Sequence, residues 1–268
     1  MQLLVGVVGM QDAFPRRRDA AAALVAWGNA WLGGHVGLDE AADAIEAAAG
    51  PQVVAELPGD PHDLPLRRAL AALRVAGMST LRLALPAPGD PLGLTGPPEL
   101  NAAAVQAGEA VLVNLPETPI GLVPAEDRRG SSYVGVRWQA HRARPGVADV
   151  PSLSEADHGL TLAMREATET LLTVTGTGGV PPEIADALAD LRDPERCATL
   201  APGYPPRAHR VAALAGRLAL VVDLARRLEG HGLTAAQMQR REGALRMLDR
   251  AVRRARVAAH NSAFDPVP

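Results

Sequence analysis

Val53-Val54-Ala55-Glu56-Leu57-Pro58, Leu81-Arg82-Leu83-Ala84-Leu85-Pro86 and Val111-Leu112-Val113-Asn114-Leu115-Pro116 repeat one phrase, a short apolar run closed by proline. Proline has no N–H to give to a sheet ladder, so each phrase predicts a strand and its end. Between the first two, Leu66, Leu70, Leu73 and Ala76 share one face of a helix over 64–76. Between the second and third, Pro97-Pro98 opens and Gly108 closes a helix over 99–107, the usual asymmetry of helix ends. The stretch 53–115 therefore reads strand–helix–strand–helix–strand. If these strands share one sheet, right-handed crossovers make them parallel. Pro58-Gly59-Asp60-Pro61 and Pro88-Gly89-Asp90-Pro91 would then gather at the strand ends where open sheets bind ligands. Pro116-Glu117-Thr118-Pro119 allows a second geometry, a tight return into 120–123 that makes the third strand half of an antiparallel hairpin. The same loops also read as ordinary turn punctuation.

Outward from this stretch the pattern is less ambiguous. Toward the N-terminus, 16–32 is helical by period, with Ala20, Leu24, Trp27 and Trp31 on one face and Gly33-Gly34 as the stop. Asp39 reads as the N-cap of a helix over 40–49. Residues 1–10 are apolar and fit either a strand or a buried helical turn. Toward the C-terminus, Glu126-Asp127-Arg128-Arg129-Gly130 reads as a polar turn. The alternating strand 131–140 follows, antiparallel or at an edge, with Val134, Val136, Trp138 and Ala140 facing inward. Residues 144–151 form a boundary, and beyond it the chain is helical. Ser154 with Asp157 opens a helix to about residue 172. The glycine-rich 175–179 breaks it, and a short helix over 183–191 and a proline-rich loop over 193–206 follow. Val211, Leu214, Leu218, Val221, Ala225 and Leu228 mark a long helix over 207–228. Thr234 with Gln237 is a capping box, and Leu233 with Met238 a hydrophobic staple, for a last helix to about residue 259. A short connection between two long helices predicts an antiparallel hairpin.

The expected fold is thus mixed α/β: a small central sheet with flanking helices, then an all-helical segment ending in that hairpin. The expected domains are 1–145 and 152–262. The 268 residues suffice for one large or two modest domains. Aromatics are only 3%, so alanine, leucine and valine must fill the core.

All 27 basic residues are arginine, and they are unevenly placed. From residue 205 on, 12 arginines face 5 acids, a net +7; before it, 15 face 25, a net −10. Arg246, Arg250, Arg253 and Arg254 fall on nearly one face of the last helix. Either these charges are solvated or paired within the chain, or they form a surface for an anionic partner. A protein partner or a second copy fits such a surface. Nucleic acid fits it less well, because no aromatics interleave the arginines and the chain's net charge is −3.

Chemistry is sparse. The chain lacks a phosphate-binding Gly/Lys loop, a nucleophile elbow, a His-Glu-x-x-His pair and a Cys-x-x-Cys pair. No catalytic residue, metal site or cofactor is therefore expected. One cysteine, Cys197, cannot form an internal disulfide, which suits a reducing cytoplasm. No apolar run is long enough to span a bilayer, and no secretory signal is expected. One cluster stands out: Asp60, His62 and Asp63 crowd the first Pro-Gly-Asp-Pro loop, with Asp90 in the second. A carboxylate beside an imidazole can orient it, so these four are the candidate ligand-binding residues. Asp63 serves equally as an N-cap for the helix that follows.

The order of phrases 81–88, Gly89-Asp90-Pro91-Leu92-Gly93-Leu94, Gly108-Glu109-Ala110-Val111 and the Arg/Ala-rich closing helix resembles uncharacterised conserved proteins of actinobacteria. That resemblance implies no activity and carries over no functional residue. The leading expectation is a cytosolic, non-enzymatic interaction or regulatory protein working through the arginine-bearing hairpin. The alternative is a small-molecule binder or enzyme using the strand-end loops.

Overall fold

The structure is a computed structural model that describes residues 20–60, 62–129, 133–146, 148–174, 200–227 and 234–264. The readings made for 1–10, 175–179 and 183–191, and for Cys197 and Leu233, lie outside these residues. The chain divides into two compact units. Unit 1 is Met1–Leu83 with Gly96–Pro145; unit 2 is Ala84–Thr95 with Gly146–Pro268. A six-stranded sheet with flanking helices is followed by long C-terminal helices, a mixed α+β architecture.

Unit 1 is built on that sheet. Its strands are β1 (Gln52–Ala55), β2 (Leu64–Pro65), β3 (Thr80–Ala84), β4 (Ala110–Asn114), β5 (Ile120–Arg129) and β6 (Tyr133–Arg142), in the order β2-β1-β6-β5-β4-β3. β4 and β5 are antiparallel, with Val111 opposite Leu122, so the tight return after Pro116 is the geometry adopted. The all-parallel expectation fails. β1 runs parallel to β6, with Val54 opposite Trp138, and antiparallel to β2. The reason lies in the hairpin of β5 and β6, which pair antiparallel over ten residues each and lie between β1 and β4 in the sheet. Consequently β6 is interior rather than an edge. Glu126 to Arg129 is strand rather than turn, since each of these residues has a cross-strand partner on β6. Val134, expected inward, is exposed, whereas Trp138 is fully buried. β1 ends at Ala55, earlier than Pro58, because Glu56 with a φ of 57° takes the chain out of the extended region.

Four helices flank the sheet: α1 (Ala20–Leu32), α2 (Leu38–Ala49), α3 (Leu66–Val75) and α4 (Pro98–Ala107). Asp39 is in the first turn of α2 and Gly37 is its N-cap, a shift of two residues from expectation. α4 ends on Gly108 at φ 79°, the left-handed cap that glycine adopts without strain. α1 is buried nearly all round, and its tryptophans are not the core face. Trp31 lies half-exposed under the Arg74 guanidinium, 5.5 Å from the ring centre. Ala20 and Leu24 of the expected face are buried, as is Val25, and α1 meets β3 through Gly28 and Asn29. A Cβ on Gly28 would lie 2.3 Å from Leu81 Cδ1, so only glycine lets α1 come this close to β3. The buried Asn29 amide then donates to the Leu81 carbonyl at 2.8 Å and accepts from the Leu81 N–H at 2.9 Å. Leu81 sits on the outermost strand, and this side chain takes the place of a missing neighbour. Gln52 acts similarly on the other side of the sheet, accepting from the Trp138 indole at 2.7 Å and donating to the Ile45 carbonyl at 3.2 Å.

Unit 2 is helical in its larger part: α5 (Leu153–Val174), α6 (Pro206–Arg227) and α7 (Ala235–Asn261), with a short 3-10 turn at Ser262–Phe264. Both α5 and α6 pack along α7. Arg241 near the start of α7 donates to the Ala225 carbonyl near the end of α6, and Tyr204 just before α6 donates to the His260 carbonyl near the end of α7 at 3.0 Å, so α6 and α7 run in opposite directions. Asp157, near the start of α5, pairs with Arg207, near the start of α6, at 2.9 Å. The Thr234–Gln237 capping box is present in both directions. The α5 box is at Ser152 and Glu155, two residues earlier than expected, because a glutamate reaches back to the cap where an aspartate is too short. The Ser152 N–H donates to Glu155 at 2.9 Å and the Glu155 N–H donates to Ser152 Oγ at 3.3 Å. The face α6 buries is also turned from the one expected. Ala208, Val211, Ala212, Ala215 and Val222 are inside, while Leu214, Leu218 and Val221 are half-buried. Alanines permit a closer approach to α7 than leucines would. On α7, Leu245, Leu248, Val252 and Ala255 are buried as expected, but Met238 is exposed.

Candidate functional site

The two sets of candidate residues divide between the units. Asp60, His62 and Asp63 belong to unit 1. Asp60 accepts from the His62 backbone N–H at 3.0 Å, which shapes the turn, and the His62 ring lies 3.7 Å from the same carboxylate. That imidazole projects into solvent. Asp63 does not share this contact. It receives both Nε and Nη2 of Arg137 from β6, at 3.0 and 2.9 Å, in a fork-to-fork pair. Those hydrogen bonds hold the Asp63 carboxyl below its ordinary range and raise Arg137. Asp63 is also not the N-cap of α3, since that position is Pro65.

Asp90 belongs to unit 2, and there it meets the arginine stripe. Its carboxylate is 3.0 Å from Arg253, 3.7 Å from Arg250 and 4.0 Å from Arg254. Arg253 also donates to the Leu85 carbonyl at 2.8 Å and pairs with Asp249, one turn back on α7, at 3.2 Å. A single guanidinium therefore ties two points of the segment Ala84–Thr95 to α7. The turn that positions Asp90 is closed by reciprocal backbone hydrogen bonds with Ala87, each 2.9 Å. Arg254 reaches Asp149 at 3.7 Å as well.

Exposure separates the four arginines into two pairs. The Arg253 and Arg254 side chains are 16% and 26% exposed, and those of Arg246 and Arg250 are 61% and 65% exposed. Among the described residues Arg246 has only the one-turn pair with Glu242 at 3.4 Å, and Arg250 only the long contact with Asp90. Surface pairs of this kind contribute little. Arg246 and Arg250 instead border an open depression of about 640 Å³, lined also by Arg240, Gly243, Ala244 and Met247 of α7 and Thr170 of α5. Arg240, Gly243, Met247 and Arg250 follow one another at steps of three and four, which places them in one line along the helix. Arg240 and Met247 escape a reading of the sequence that looks only for clustered charge. The three-and-four spacing through Gly243 was the available signal.

Among the described residues no three His, Cys, Asp or Glu side chains are placed to hold a metal ion, and no helix is long and apolar enough to cross a membrane. Fold and site together define a two-unit α+β protein with an arginine-edged surface on its helical unit. The chain belongs to the Rv1486c-like protein family: the N-terminal domain of that family matches residues 21–152 and the C-terminal domain residues 154–257. It is similar to a Mycobacterium tuberculosis protein named "Uncharacterized protein Rv1486c", 31% identical over 270 residues, covering 87% of this chain and 93% of the relative. It is likewise similar to an uncharacterized protein of Mycobacterium leprae, 28% identical over 292 residues, with 89% and 95% covered. No solved structure matches the chain. The resemblance to uncharacterised conserved actinobacterial proteins thus resolves into a family, and the family's name carries no activity.

Proposed function

We propose that this is a cytosolic, non-enzymatic interaction protein whose helical unit receives an acidic partner protein on the exposed arginine face of α7. The observation that supports this is the split of the arginine stripe. Arg253 and Arg254 are turned inward to hold Asp90, while Arg240, Arg246 and Arg250 remain outward around an apolar floor of Ala244 and Met247. Guanidiniums around an apolar patch match carboxylates around apolar side chains, and charges at the rim guide encounter and orientation.

The test is fluorescence anisotropy with labelled poly-glutamate and, separately, a labelled DNA duplex, using the whole chain and its Arg240→Glu/Arg246→Glu variant. Neither residue touches Asp90, so the strap stays in place. Poly-glutamate binding at low salt that weakens at least about tenfold in the variant is the expected result. No binding, or binding indifferent to the variant, removes the reading. Arginine-dependent binding of the duplex alone replaces it with a nucleic-acid surface. A rival reading keeps a small-molecule site at the Asp60–His62 contact. A ligand-induced rise in Tm that disappears in Asp60→Ala/His62→Ala would establish that rival instead.

A further inference from the structure

We infer that the arginine-edged depression binds the acidic face of α2 from a second copy of the same chain. This deepens the proposed function, and rests on it, by naming the partner. α2 carries Asp39, Glu40, Asp43 and Glu46 and no basic residue. Its inner face is Ala41, Ala42 and Ile45; Asp39, Glu40 and Asp43 are exposed, and Glu46 is half-buried at the edge of that face. Asp39 and Asp43 share Arg67 of α3 within their own unit, whereas Glu40 and Glu46 meet no cation among the described residues. The outward line on α7 offers the opposite pattern. Arg240 and Arg250 stand about 15 Å apart along the helix, and Asp39 and Glu46 about 10 Å apart along α2. An acidic helix can therefore lie in the depression with its charges inside the arginine frame, the helix-in-groove mode of recognition.

The residues between the charges fit the same occupant. A Cβ built on Gly243 meets nothing within 4 Å, so no packing among the described residues calls for glycine there. Glycine within a helix is less stable than alanine, because the unfolded chain is freer there. An approaching helix backbone would use the space that this residue leaves. α2 offers the exposed Ala47 on the outer face, one turn beyond Asp43, small enough to allow that approach. Met247, 48% exposed, is a pliable apolar surface for such alanines. The charge division of the sequence, −10 before residue 205 and +7 after it, also favours contact between unlike halves of two copies.

Sedimentation velocity of the full chain tests this at low salt and at about 0.5 M salt, where surface attraction is screened. The wild type is expected to self-associate at low salt and to dissociate at high salt. Arg240→Glu/Arg246→Glu and, separately, Glu40→Arg/Glu46→Arg should each be monomeric, and an equimolar mixture of the two should associate again through matched reversed charges. A wild type that stays monomeric at low salt overturns the inference, as does association that both variants retain. Poly-glutamate binding by the wild type tells this failure apart from failure of the broader reading. If it binds through the arginines while the protein stays monomeric, the surface stands and the second copy falls; if it does not bind, both fall.

Discussion

Unit 1 and unit 2 each fix an outlying segment through one side chain, and they use different chemistry. In unit 1 the outermost strand is held at Leu81 by the neutral amide of Asn29, in a site closed to water. In unit 2 the segment Ala84–Thr95 is held by Arg253, whose guanidinium grips Asp90 and Leu85 at a partly open surface. A buried amide satisfies two backbone groups that have no access to solvent, so its loss leaves both unpaired. A charge pair near the surface gains from attraction and loses part of that gain to solvent and salt. The first is a device of folding. The second leaves charge in reserve, and α7 displays that reserve one to three turns away.

The comparison can be broken most sharply at Asn29. Asn29→Ala should cost about 3 kcal/mol, from two orphaned backbone groups, with the loss unchanged between low and high salt in chemical denaturation. Gly28→Ala at the same contact should cost about 1–3 kcal/mol, the range for overpacking, because Leu81 must move to admit a Cβ. Asp90→Ala should cost about 2 kcal/mol at low salt, for hydrogen bonds to charged groups, and visibly less in about 1 M salt. Equal salt dependence for Asn29→Ala and Asp90→Ala would erase the distinction between the units.

A smaller effect sharpens it at acid pH. Hydrogen bonds from Arg137 lower the Asp63 pKa in the folded protein. A carboxylate with a depressed folded pKa contributes stability that is fully present above its unfolded pKa. That contribution is lost as pH falls through the lower folded value. Asp63→Asn should therefore cost stability at neutral pH and flatten the acid limb of the stability profile below about pH 4, as read from Tm against pH.

How much of this was legible depends on whether the information is local. Proline and glycine punctuation located β3, β4 and α4 because those residues act on their own backbone. The Thr234–Gln237 box was legible for the same reason. Strand order was not. The β5–β6 hairpin is long because each of Glu126 to Arg129 finds a partner across the sheet, and a charged run gives no local sign of that. The buried face of α6 was misread because leucine spacing outweighed the alanines, although helix separation is set by the smaller side chains. At the candidate site, the arginine stripe and Asp90 were each visible as residues. Their meeting was not, since it joins positions 163 residues apart. With Arg253 and Arg254 largely buried against Asp90, the exposed arginines on the proposed partner face are Arg240, Arg246 and Arg250, a set that charge clustering alone does not select.

On the proposed reading one arginine stripe does two separate jobs, holding Asp90 and receiving a partner. Thermal melts and poly-glutamate anisotropy, run side by side on two double variants, address it directly. Arg253→Ala/Arg254→Ala should lower Tm by several degrees, and Arg240→Ala/Arg246→Ala should leave it within about a degree, as surface substitutions do. Binding should follow the opposite order, nearly lost in Arg240→Ala/Arg246→Ala and retained in Arg253→Ala/Arg254→Ala at temperatures where that variant is folded. Two variants that lose stability and binding together would show one undivided surface and contradict the account.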